Sequence, residues 1–137
     1  MPQPLAGEPA PLAFSLLYTP PEVAHAYAAQ EPSIVASTAA DMWAIGVIAY
    51  EMLTGAPAWP ASATREAIIA SLLGEAPLPW EAASEATTRK LLRMRGPILE
   101  CLSRDPEQRP SVEQLAAVMY SIFLSATTGA ATRSGRR

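Results

Sequence analysis

One run of residues limits what this 137-residue chain can fold into more than any other. From Met42 to Leu53 the sequence MWAIGVIAYEML is apolar except for Glu51. A helix that is apolar around its whole circumference has to be enclosed by other structure. The run of twelve residues is too short to span a bilayer, which takes ~20. It therefore reads as a buried helix over residues 41–55. Ser37 or Thr38 can cap its start, and Asp41 in the first turn faces the positive end of the helix dipole. Gly55 followed by Pro57 ends it. The rest of the chain has little with which to surround such a helix, because 27 of the apolar residues in the whole chain are Ala.

The other elements are also helical. TREAIIASLL, residues 64–73, places Ile68, Ile69, Leu72 and Leu73 on one face and stops at Gly74. A third helical stretch runs from about Ser84 to Leu102, with a kink expected at Pro97. Ser111 and Gln114 form an S-x-x-Q capping box ahead of a stripe of Val112, Leu115, Ala116, Met119, Ile122 and Phe123. Residues 1–13 hold four Pro and read as an irregular arm, and residues 125–137, with no large apolar side chain, read as a disordered tail. No stretch alternates long enough to be a strand. The expected fold class is all-α.

Scarcity excludes much chemistry. The chain has one Lys (Lys90), one His (His25), one Cys (Cys101), two Asp (Asp41 and Asp105) and no Asn. A lone Cys makes no internal disulfide and implies a reducing compartment, and Cys101 with His25 falls short of a structural zinc site. All ten basic residues follow residue 64, so neither a secretory signal nor a transit peptide is expected. Arg133, Arg136 and Arg137 lie on a tail of small residues without the aromatic or basic stripe that nucleic acid needs. The cluster Arg89, Lys90, Arg93 and Arg95 reads as a solvated face, with a phosphate or acidic-partner site as the alternative.

Three stretches in order carry a resemblance. Tyr18-Thr19-Pro20-Pro21-Glu22 is similar to the Y-x-A-P-E end of an activation segment. Asp41-Met42-Trp43-Ala44-Ile45-Gly46-Val47 is similar to a D-x-W-S-x-G-V helix opening. Leu102-Ser103-Arg104-Asp105-Pro106-Glu107-Gln108-Arg109-Pro110-Ser111 is similar to an L-x-x-D-P-x-x-R-P-S segment. Together they resemble the eukaryotic protein kinase domain of Ser/Thr type over residues 14–124, specifically the helical C-terminal half of its large lobe. The resemblance implies that the apolar helix is the buried axle of that lobe. It also implies a buried ion pair between Glu22 and Arg109, an anchor of the central helix at Asp41, Trp43 and Gly46, and a substrate-pocket residue at Ser15. Against that last role, Phe14 stands where the family usually has Gly, and a plain loop Ser is the other reading. Cys101 is expected in the core, without a His or Asn nearby to activate it, and His25 on the surface.

Kinase chemistry requires a Gly-rich loop, a strand Lys, a catalytic Asp and Asn, and a second Asp for magnesium. None of the seven Gly residues lie two apart, His25 is followed by Ala-Tyr, and neither Asp precedes Phe-Gly. No catalytic, cofactor or metal residues are therefore assigned, and ATP and Mg are implied only for a full-length parent. Two readings of function follow. One is a partial kinase domain, inactive alone, that supplies the helical core and the surface facing a protein substrate. The other is a non-catalytic module derived from a kinase, which binds a protein partner through residues 64–73 and the patch near Lys90. Both place the chain in the cytoplasm, away from membrane and nucleic acid. A lobe this incomplete should also expose apolar residues around Trp43, Ile45 and Ile48.

Overall fold

The computed structural model describes residues 9–11 and 15–133, with side chains described from Ser15 to Gly129. Around the central helix the chain runs β1 (Pro9–Pro11), α1 (Pro21–Ala28), β2 (Ser33–Val35), α2 (Thr38–Thr54), α3 (Arg65–Leu72), α4 (Glu85–Leu91), α5 (Arg95–Cys101) and α6 (Val112–Arg133). Single 3-10 turns precede α1, join α4 to α5 and precede α6. The fold is all-α with a small ribbon at its edge. In that ribbon β1 runs antiparallel to β2 with Pro9 opposite Val35, Ala10 opposite Ile34 and Pro11 opposite Ser33. Part of the expected irregular arm is thus a strand. Its Pro-Ala-Pro sequence gave no strand signal, because only Ala10 has an N–H to donate. The remainder of residues 1–13, together with Phe14, lies outside the described residues.

The apolar run forms α2, and its ends follow the sequence. Ser37 Oγ accepts from the Ala40 N–H at 3.3 Å. Gly55 closes the helix at φ 72°, its N–H bonded to the Glu51 carbonyl at 2.9 Å. Met42, Trp43, Gly46, Val47, Tyr50 and Thr54 are buried. The expectation of burial on every side fails, because Ile45, Ile48, Met52 and Leu53 are exposed, Met52 to 78%. Among the described residues the helices that cover α2 are chiefly α4 and α5. Exposure was expected at Ile45 and Ile48 and is found there, whereas Trp43 is only 1% exposed.

Trp80, from the loop between α3 and α4, fills the space beneath α2. Its ring meets Trp43, Tyr50 and Trp59 edge-on at centroid distances of 5.3, 5.8 and 6.4 Å. Such offset contacts suit the quadrupoles of aromatic rings. Ile68, Leu72, Leu78, Leu91, Ile98 and Leu102 complete the core. Thr64 caps α3 by accepting from the Ala67 N–H at 3.2 Å.

The third stretch divides earlier than its Pro suggests. Its break falls at Leu92, at φ 44° and ψ −127°, with the side chain 73% exposed. Pro97 is accommodated instead in the first turn of α5, where its missing N–H is no loss. In α6 the capping box forms in both directions. Ser111 N–H donates to Gln114 Oε1 at 2.9 Å, and Gln114 N–H to Ser111 Oγ at 3.1 Å. The expected disordered tail is helical as far as Arg133. Small Ala, Ser and Thr residues with no Pro let the helix run on, and Thr127 and Thr128 hydroxyls donate to the Leu124 carbonyl at 2.9 and 2.7 Å. Residues 134–137 lie outside the described residues.

Candidate functional site

The densest polar arrangement forms where α1, the start of α2 and the loop before α6 meet. Pro20 and Pro21 fix the backbone entering α1, so Glu22 falls in its first turn, where a carboxylate suits the helix dipole. Arg109 follows the 3-10 turn Pro106–Gln108, which Asp105 caps by accepting from the Glu107 N–H at 2.9 Å. The two side chains meet in a bidentate pair. Arg109 Nη1 donates to Glu22 Oε1 at 2.8 Å and Nη2 to Oε2 at 2.7 Å.

The guanidinium is tied further on its other edges. Nη1 also donates to the Ala39 carbonyl at 2.8 Å, and Nε to the Ser103 carbonyl at 2.9 Å. Its carbon lies 5.2 Å from the centre of the Trp43 ring, a cation–π arrangement. The Arg109 side chain is wholly buried, while that of Glu22 is 31% exposed. One residue thus joins α1, α2 and the loop before α6. The planar fork of Arg can do this, whereas the point charge of Lys cannot.

The other residues singled out in the sequence lie around this junction. Gly46 faces α5, where an added Cβ would meet Cys101 Cβ and Leu102 at 2.9 Å. That close approach lets α5 lie against α2. Asp41 is exposed in the first turn of α2. Ser15 is exposed, and its carbonyl accepts from the Thr19 hydroxyl at 2.9 Å. Cys101 is buried, and burial, reinforced by the charge of Glu100, pushes its thiol above the usual range. A thiol held protonated is a poor nucleophile. His25 is exposed.

The basic cluster does more than face solvent. Lys90 Nζ donates to the Thr54 carbonyl at 3.2 Å, so it ties α4 to the end of α2, where a cation suits the dipole. Arg89 pairs with Glu85 on the surface. The sequence reading also missed Arg104. Its Nη1 donates to the Ser71 carbonyl at 2.8 Å and the Leu72 carbonyl at 3.3 Å, and its Nη2 to Glu81 Oε2 at 3.1 Å. It closes the end of α3 and joins it to the loop carrying Trp80. Only its place beside Asp105-Pro106 hinted at a structural role.

A cleft of about 1000 Å³ opens between α1, β2 and the end of α3, and Glu22 and Arg104 reach its wall. Among the described residues no cluster of three His, Cys, Asp or Glu could hold a metal ion. Nor is any described helix long and apolar enough to cross a membrane.

The sequence profile of the protein kinase domain matches residues 7–121. The chain belongs to the protein kinase domain family. A search of curated proteins gives no match. The matched span contains the Glu22–Arg109 pair, α2 and the loop before α6, and it stops inside α6. What the chain contributes to a kinase domain is therefore helical, with Glu22, Trp43 and Arg109 at its junction.

Proposed function

We propose that this chain forms the substrate-side helical part of a protein kinase large lobe, in a family that transfers the ATP γ-phosphoryl group to protein Ser or Thr, and that it transfers no phosphoryl group by itself. The Glu22–Arg109 pair carries this reading. It fastens the Pro-Pro-Glu segment, which in the family ends the substrate-binding strip, to the rigid loop before α6. Such a fastening serves positioning, which supplies much of the catalysis in phosphoryl transfer. Ser15 and Tyr18 lie just before this segment, and the Tyr18 hydroxyl faces Glu51 Oε2 at 3.5 Å.

The chain's own residues do not fit ATP and Mg. Asp105 is spent on capping a 3-10 turn, and Asp41 sits exposed on α2. The sequence has neither a G-x-G loop nor an Asn. No step through the nucleotide is assigned to it. The buried thiol of Cys101 is compatible with a cytoplasmic setting. A second reading, a kinase-derived module that binds a protein partner, is favoured by the exposed Ile45, Ile48 and Met52 on α2.

Thermal unfolding of the purified chain with and without Mg-ATP tests the first reading. No shift is expected, and neither is transfer of labelled phosphate to a Ser/Thr peptide mixture. A nucleotide-dependent rise in Tm, or labelled peptide, would overturn it.

A further inference from the structure

The fold explains the path of the backbone at Leu92 but not the side chain that stands there. Leu92 opens the 3-10 turn Leu92–Met94 between α4 and α5, at φ 44° and ψ −127°. These angles are close to those of the first central residue of a type II′ turn, a position that suits Gly. A bulky residue held there is strained. The turn itself has a clear cause. Leu91 is buried at the end of α4 and Met94 packs against the same core, so the backbone turns sharply between them. The Leu92 side chain is 73% exposed, so it eases neither the backbone nor the packing.

Its surroundings are basic. Residues 86–99 include Arg89, Lys90, Arg93 and Arg95 and no acid. Arg89 is paired with Glu85, and Lys90 is held at the Thr54 carbonyl. Arg93 and Arg95 are exposed, and neither side chain has an ion pair or hydrogen bond among the described residues. An added Cβ at Gly96 would meet nothing within 4 Å, so the surface beside them is open. Each unpaired guanidinium fork can hold a carboxylate through two hydrogen bonds. Leu92 next to them offers apolar surface that a partner can take out of water. Other polyanions fit less well. Anionic membranes recruit clusters of about four to eight Lys or Arg, and only two are unpaired here. Single-stranded nucleic acid stacks on aromatic side chains, and residues 81–119 hold none.

We infer that the turn at Leu92 is a docking point for an acidic segment of a partner protein, with Leu92 as the apolar anchor and Arg93 and Arg95 holding carboxylates. The inference rests neither on phosphoryl transfer nor on the exposed face of α2, because its residues all lie at the junction of α4 and α5.

Fluorescence anisotropy with the full chain tests it. The probe is a fluorescein-labelled peptide in which Leu is flanked on each side by two Glu, and its control carries Gln in place of every Glu. Saturable binding of the acidic peptide is expected, weakening as salt is added. The Gln control should bind about tenfold more weakly or worse, and so should the acidic peptide to a chain carrying Arg93→Gln and Arg95→Gln. Both arginines are exposed, so the tryptophan fluorescence of that variant should match the unmodified chain. Leu92→Gly divides anchor from scaffold. It should weaken binding severalfold and yet raise Tm, because Gly takes the positive φ without strain. Absence of saturable binding, equal binding of the Gln control, or indifference to the arginine changes overturns the proposal. Tighter binding to phosphatidylserine vesicles or to polyuridylate than to the acidic peptide also overturns it and assigns the patch to phosphate. A Leu92→Gly chain that binds as before, or that melts lower than the unmodified chain, removes Leu92 as the anchor and overturns the docking point as stated.

Discussion

Arg109 and Glu22 lie 87 residues apart in sequence and meet through two hydrogen bonds of 2.8 and 2.7 Å. With the carbonyls of Ala39 and Ser103 also bonded, four of the five Arg109 N–H donors are engaged. The pair closes the longest loop that any polar contact described above closes, and it does so beside the buried Trp43 ring.

Removing one partner leaves the other stranded. Glu22→Ala would leave a wholly buried guanidinium with carbonyls alone, and a loss of about 3 kcal/mol is expected, at the lower edge for buried pairs because Glu22 is partly wet. Arg109→Lys should fail to restore stability, since an ammonium cannot span two carboxylate oxygens and two carbonyls at once. Urea unfolding followed by tryptophan fluorescence measures both. Losses below about 0.5 kcal/mol, the range of ordinary surface substitutions, would mean that the junction is not needed for the fold.

Gly46→Ala is expected to destabilise through crowding. The new methyl would sit 2.9 Å from Cys101 Cβ and from Leu102, and the contact on the Cys101 side is close to backbone and cannot swing away. A loss of about 1–3 kcal/mol follows from overpacking of this kind. Unfolding midpoints of Gly46→Ala and of Gly46→Ala with Leu102→Ala would show it. The pair should be less unstable than the sum of its parts, because the second change makes room for the first.

What the sequence revealed was what local chemistry decides. Ser37, Gly55, Thr64 and the Ser111–Gln114 box mark helix ends because caps act within a turn of their own residue. The Glu22–Arg109 pairing came only from the resemblance, since nothing in either local sequence points to the other. Other features escaped both routes. The break at Leu92 stands ahead of the Pro that seemed to require one, because Pro97 is harmless in a first turn. The 112–133 helix outran its large apolar residues because Ala, Ser and Thr carry a helix without needing a core. Arg104 stayed hidden for a third reason. Its partners are mostly carbonyls of α3 and its following loop, and carbonyls leave no mark in the sequence.

The Arg104–Glu81 contact predicts a pH dependence. Burial pushes the Glu81 carboxyl up, but hydrogen bonds from Arg104 and the Leu78 N–H, with the charge of Arg104, outweigh it and leave it below its ordinary value. A carboxyl lowered in the folded state stabilises above its unfolded pKa, and that contribution is lost as pH falls through the folded value. The Glu81 side chain is 43% exposed, so solvent screens the interaction and about 1 kcal/mol or less is at stake. Glu81→Gln should therefore flatten a small part of the acid-side fall in Tm and leave the neutral-to-basic side unchanged in slope. An acid limb identical to that of the unmodified chain would refute the assignment.

The last prediction separates α6 from the body. Trp43, Trp59 and Trp80 all lie in the core, and α6 has no Trp. Fluorescence therefore reports the body, whereas far-ultraviolet circular dichroism reports every helix. Ser111→Ala removes the hydroxyl that accepts from the Gln114 N–H and leaves only the backbone N–H of residue 111 donating to Gln114 Oε1. Loss of such a cap costs about 0.5–2 kcal/mol. Because α6 shares little packing with the rest, the loss should appear as reduced helicity at a fixed protein concentration, with the fluorescence midpoint moved by less than about 0.5 kcal/mol. A matching fall in both signals would mean that α6 unfolds as one unit with the body.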